Sequence, residues 1–433
     1  MSRDRLPGDL DTRQARWLLT RHAGLLGRQP QLGHPSGIPV TRRTHPELAG
    51  LVAETADRLG TPMPDRVLLT GTPTVDLAVA RRRRHLLIGL PLLDCLNATE
   101  LRALVGYRLA LLRHRHCGLV VGLLHLWTEA VRAETYEEGR DLRRVTEFRR
   151  TLAGFAAEVQ RDADEAAVLA AGAAAAARAF ALADAAAQGY TDFLESTALP
   201  EHRWWRLAEV GISDVDDGWR HLLRHGTPDV EWGEDEAQVL ATLHPRLADA
   251  LRALGRTPPP VVPTAHPVPV APLSGRERRR LARRLLNIPY PRYIRWHTFA
   301  DSPPRWWLRR AAGEAGSVRA DVAAVLGRPP VDDVEAIDVI RTRPREVLAA
   351  AMHVPVGELS DDPGDCEWDE PAAASVWLVE ENLLRRGWRL AHPSVRGVLI
   401  GPAGEQVDAR ALIARAEQDA ADRSTLRQLM TSG

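Results

Sequence analysis

Apolar positions recur at helical spacing early in the chain, where Leu101, Leu104, Val105, Leu109, Leu111 and Leu112 fall at i, i+3 and i+4. Asn97-Ala98-Thr99-Glu100 supplies a start signal, with a capping side chain just before the apolar run. The pattern also predicts helices over residues 11–26 and 45–59, the second with Leu48, Leu51, Val52 and Ala56 on its apolar side. Arg66–Thr70 (RVLLT) and His85–Gly89 (HLLIG) read as short strands, separated by residues 72–80 and the arginine run 81–84. Helical patterning resumes over residues 119–132, 152–188 and 203–254, with a charged segment at 134–150.

The prolines of TPPPVVPTAHPVPVAPL cannot sustain a helix, so residues 257–274 read as a stiff extended linker. Beyond them, residues 276–286 form an arginine-dense helix followed by Tyr290, Tyr293, Trp296, Phe299, Trp306 and Trp307. Residues 342–360 have a helix-turn-helix cadence with no clear recognition helix after it. A helix over 372–386, strands at 387–390 and 395–400 with a turn at 401–404, and a closing helix over 409–429 complete the chain. The expected fold class is therefore α+β and predominantly helical. Its parts are an N-terminal helical segment (1–38), a main domain (39–256), the linker (257–274) and a smaller α+β domain (275–433).

Composition narrows the function classes. Formal net charge is zero, so no global attraction to nucleic acid or membrane follows. Every basic residue is arginine, which with the abundant alanine fits a GC-rich coding genome. Cys95, Cys117 and Cys366 are odd in number and widely spaced, which suits reduced thiols in a cytoplasmic protein. The N-terminus lacks the apolar core of a secretory signal, and the apolar runs 118–124 and 166–177 are too short to span a membrane.

The stretch from Gly89 to His116 resembles the metal-binding helix of the HtpX-type zinc metallopeptidases, whose relatives include the CAAX-prenyl endoproteases. The strand end Gly89-Leu90, the helix start from Glu100 to Val105 and the tail Arg113-His114-Arg115-His116 carry the likeness. In that register the family's HExxH falls on Tyr107-Arg108-Leu109-Ala110-Leu111. Two histidines at i and i+4 reach one zinc while the glutamate activates its water; here Tyr107 and Leu111 replace the histidines and Arg108 the glutamate. A guanidinium cannot take up a proton and opposes a bound cation. The third ligand, a glutamate four residues before an aspartate, matches Gln160, while Asp164 keeps the aspartate position. Further on, ATLHPRLADALRALG resembles the family's terminal His-Pro segment, so the likeness spans roughly residues 40 to 255.

The resemblance implies a zincin-like domain with no metal, no cofactor and no catalytic residue: a pseudopeptidase with a binding or regulatory role. It also implies that His85, Leu86, Leu87, Ile88 and Gly89 form an edge strand able to hold an extended peptide by strand addition. In intact members the retained aspartate orients a zinc-bound histidine, so here Asp164 is expected to hydrogen-bond Tyr107 or ion-pair with Arg108. An active peptidase or other hydrolase with a rebuilt site is the alternative. Nucleic-acid or acidic-surface binding through the arginine clusters is a weaker one, because residues 361–370 supply compensating acid and arginine stems commonly pack on tryptophan. His114 and His116, two apart on an expected helix, point in different directions and read as a solvated tail. The partner is left as an unknown protein or peptide.

Overall fold

The computed structural model describes residues 6–22, 37–80, 83–136, 142–194, 210–212, 215–225, 230, 232, 236–254, 258–285, 292–294, 304–359, 370–392 and 395–431. Arg81, Arg82, Trp204, Trp205, Tyr290, Trp296, Phe299, Cys366 and the acidic stretch 361–369 lie outside them. The fold is α+β and predominantly helical. The chain divides into two compact units, residues 1–199 with 211–293, and residues 200–210 with 294–433.

The first unit begins with α1 (Thr12–His22) and a mixed four-stranded sheet. Its strands are β1 (Ile38–Val40), β2 (Arg66–Thr70), β3 (Val75–Ala80) and β4 (Arg83–Gly89), with α2 (Pro46–Leu59) between β1 and β2. Across the sheet the order is β1-β2-β4-β3. β2 runs parallel to β4, and the outer pairs are antiparallel. β2 has its expected limits. β3 occupies part of what the pattern left as a connector: six residues interrupted by Asp76 give too short an alternation to stand out. Because β3 pairs with the far side of β4, His85, Leu86, Leu87, Ile88 and Gly89 are interior to the sheet. The edge strand expected at these residues is β3 instead.

β4 runs straight into the single turn α3 (Leu90–Leu93) and then α4 (Ala98–Ala110). Asn97 Oδ1 accepts from the Thr99 and Glu100 N–H groups at 2.9 and 3.0 Å, and Glu100 Oε2 accepts from the Asn97 N–H at 3.0 Å. This reciprocal cap fixes the start of α4. The helix ends at Ala110, Leu111–Arg113 tighten into a 3-10 turn, and His114 is extended. His114 and His116 therefore sit in a turn before α5 (Cys117–Tyr136) rather than on a helix.

Two helices, α6 (Leu142–Ala171) and α7 (Ala173–Phe193), stand where one was expected. Gly172 separates them with φ 87° and ψ 154°, a conformation open almost only to glycine, and their axes bend by 112°. α6 packs closely on α4 because Gly106 has no side chain. A Cβ there would lie 3.0 Å from the Ala170 Cβ and 3.2 Å from the Ala166 carbonyl oxygen. Among the described residues no single helix is long and apolar enough to cross a membrane; a bent pair from α6 and α7 meets that test only jointly.

Three short helices follow: α8 (Val215–His225), α9 (Glu236–Leu243) and α10 (Ala248–Ala253). Trp219 of α8 is fully buried, donates from Nε1 to the Pro91 carbonyl at 3.2 Å, and meets Tyr190 edge-on at 5.1 Å. The proline-rich segment is a strap and not a free linker. Val261 and Val268 are buried, the Thr264 N–H donates to the Asp94 carbonyl at 2.9 Å, and Pro267 bridges to Asn97. The prolines do exclude a helix, as expected, but Val261 and Val268 between them are buried in the first unit. α11 (Gly275–Leu285) belongs to that unit too, so the boundary expected at 274 moves to residue 293.

The second unit packs the helix Pro304–Leu326 against the helix Glu370–Arg385, with Asp333–Thr342 and Pro344–Met352 alongside. Arg389–His392, Val395–Ile400 and Gln406–Asp408 form an antiparallel sheet. The segment with helix-turn-helix cadence ends in a 3-10 turn, Val356–Glu358. The closing helix is two, Ala409–Gln418 and Ala420–Thr431, because Asp419 turns extended and its carboxylate caps the Ala421 N–H at 2.9 Å.

Candidate functional site at the crossing of α4 and α6

Gln160 and Asp164 are one turn apart on α6, so they share a face, and both are buried. Tyr107 and Leu111 are buried at the end of α4, the helix on which α6 packs. The structure thus buries four of the five positions of the resemblance, all but Arg108, and Asp164 has no exposed surface at all.

A fully buried carboxylate needs hydrogen-bond donors. Asp164 has two: His244 Nδ1 at 2.9 Å from Oδ1, and the Arg246 N–H at 3.1 Å from Oδ2. Neither Tyr107 nor Arg108 bonds it, contrary to expectation. His244 follows directly on α9, where its N–H donates to the Leu240 carbonyl at 2.8 Å. Its ring stacks on Phe180 of α7 at 3.7 Å between centroids, with the planes 28° apart. Tyr107 meets the same ring edge-on at 5.3 Å and Phe180 at 5.2 Å. Four segments, α4, α6, α7 and the end of α9, therefore converge on one imidazole.

The chemistry of this cluster follows from the carboxylate. Asp164 accepts the Nδ1 proton, which aims the ring and leaves Nε2 without a partner among the described residues. Burial, and then the Asp164 charge, push the Tyr107 phenol well above its usual range, so it stays protonated at ordinary pH. Aromatic walls around an oriented imidazole suit an acceptor site or a general base.

Arg108 turns out of this cluster. Successive helix residues are rotated by about 100°, so the position after Tyr107 faces the sheet. Its Nε donates to the Val75 carbonyl at 2.8 Å and lies 3.6 Å from Asp76 Oδ1. Its guanidinium carbon is 5.3 Å from the centre of the Tyr107 ring, a cation–π distance. Among the described residues, no three His, Cys, Asp or Glu side chains come together in a way that could hold a metal ion.

Of the other histidines weighed from the sequence, His85 is buried within the sheet and His114 is half-buried. Burial holds the His114 imidazole below its usual range, against the pull of Asp162 and Glu158. The residue that sequence reasoning missed is His244. Its signal was present in the terminal His-Pro segment, but nothing in the linear pattern joins residue 244 to residue 164. Comparison of the chain with family models, curated proteins and solved structures found no significant match.

Proposed function

We propose that the first unit is a zincin-like, HtpX-type peptidase domain that has lost its metal chemistry and serves as a binding protein: a pseudopeptidase that holds extended polypeptide. The observation that carries this reading is the fate of Asp164. The position that would orient a zinc-bound histidine on α4 is spent on His244 and a backbone N–H, while a phenol, a leucine and an amide fill the ligand positions. The expected partner is an unfolded or extended segment of another protein. Cys95 and Cys117 are free thiols, which accords with a cytoplasmic setting.

Elemental analysis of the purified full chain after mild dialysis tests the loss of metal. The expected content is below about a tenth of an equivalent of zinc, against a full equivalent for a closed protein site. A stoichiometric transition metal would overturn the reading.

One observation favours a second reading, a metal-free hydrolase. The Asp164–His244 pair is built like the acid–histidine half of a nucleophilic triad, with Nε2 left open. Hydrolysis of p-nitrophenyl acetate that vanishes in His244→Ala would support it. Equal rates in both proteins would leave binding as the role of the site.

A further inference from the structure

The outer edge of β3 is already occupied, by the protein's own side chains. The Gly89 N–H donates to the Thr74 carbonyl at 2.8 Å, which fixes the hydrogen-bonding phase of the β3–β4 pair. Pairing alternates in an antiparallel ladder, so the main-chain groups of Val75, Leu77 and Val79 point away from β4. Two of these outward groups are taken. The Val75 carbonyl accepts from Arg108 Nε at 2.8 Å, and the Leu77 N–H donates to Asp76 Oδ1 at 2.7 Å. Arg108 and Asp76 are 3.6 Å apart, so donor and acceptor form one clasp.

That geometry imitates a strand. In a parallel pair, one residue donates to the carbonyl before its partner and accepts from the N–H after it. Opposite Asp76 those groups are the Val75 carbonyl and the Leu77 N–H. A guanidinium and a carboxylate supply the same donor and acceptor. Both side chains remain partly exposed, at 30 % and 43 %, so they can exchange their contacts for water without leaving a buried charge. An exposed strand edge invites pairing with another chain, and charged side chains are a common guard against it.

We infer that Arg108 and Asp76 form a releasable clasp on the β3 edge, and that an extended peptide adds to the sheet there only when the clasp opens. The inference rests on the binding reading above for its ligand, but not for the clasp itself. It also gives the arginine at the position of the family's general base a role: it guards the edge from α4.

The experiment compares the full-length wild type with Arg108→Ala, Asp76→Ala and the milder Asp76→Asn, using fluorescein-labelled β-casein as an extended polypeptide probe. Fluorescence anisotropy should show each alanine variant binding about tenfold more tightly than wild type, the worth of one or two hydrogen bonds no longer displaced. Hydrogen exchange should show bound casein protecting residues 75–80. Wild-type affinity in both alanine variants, or protection confined to other segments, would overturn the clasp. If no form binds casein, the binding reading falls, and the clasp is decided on the free protein. The Leu77 amide must then exchange faster in Asp76→Ala than in wild type; an unchanged rate would overturn the clasp as well.

Discussion

Asp164 in the first unit and Glu381 in the second are equally sealed, at 0 % and 1 % exposure, yet they are answered by different chemistry. Glu381 meets two guanidiniums: Arg319 at 2.7 Å, which also holds Asp333 at 2.7 and 2.9 Å, and Arg385 one helical turn away. Each charge there has a permanent counter-charge, and the contacts join the helix Pro304–Leu326 to the helices Asp333–Thr342 and Glu370–Arg385. Asp164 instead meets an imidazole and one backbone N–H, and among the described residues nothing bonds the second ring nitrogen. The difference separates a cross-link from a site. An acid ion-paired to arginines ties helices together, whereas one bonded to histidine passes its orienting effect to a second ring nitrogen.

Mutation should expose the contrast. Arg319→Ala leaves Glu381 with one partner and Asp333 with a lost one, and the expected destabilisation is about 3–5 kcal/mol in chemical denaturation. A loss under about 1 kcal/mol would mean that water reaches Glu381 and that the cross-link is not structural.

A third buried acid lies between these extremes. Asp184 of α7 accepts from Arg132 at 2.5 Å, but it also shares a hydrogen bond with Glu236 at the start of α9. Burial chiefly, with the neighbouring Glu236 adding to it and Arg132 opposing, raises its carboxyl to about 7. A folded value above the unfolded one means that the folded state binds the proton more tightly. The associated stability is present in full below about pH 4 and is lost as pH rises through about 7. Stability should therefore fall by about 2–3 kcal/mol between about pH 5 and 8, and Asp184→Asn should flatten that slope. A slope unchanged by the substitution would assign the pH dependence elsewhere.

The smallest expected effect is at the site itself. Asp164→Asn keeps one acceptor oxygen but turns an amide donor toward another donor, at a cost of about 1–2 kcal/mol. In NMR spectra the His244 ring should lose its fixed tautomer. A His244 ring signal indifferent to the substitution would deny Asp164 its orienting role.

How much of this could be read in advance depended on range. The α4 cap and the β2 limits follow from residues within a few positions of each other, and both were legible. The break at Gly172 is not legible in the pattern, since an alanine-rich stretch tolerates one glycine until packing selects its positive φ. β3 was lost to its brevity, and with it the identity of the sheet edge. The choice of Tyr107, Arg108, Leu111 and Gln160 as site positions rests on family likeness alone. The pairing of residue 164 with 244, and of Arg108 with the Val75 carbonyl, depends on which helices cross, and no local pattern encodes that.

The proline strap has a practical consequence for anyone dissecting the gene. Its composition invites a cut near residue 256 to isolate the N-terminal half. A chain shortened there would lose Val261 and Val268 from their buried places, and the Asp94 carbonyl would lose the Thr264 N–H. It would also end before α11, whose Arg278 pairs with Asp217 of α8. A chain carried on through α11 keeps these contacts; one stopped before the prolines asks a truncated polypeptide to fold around a missing wall.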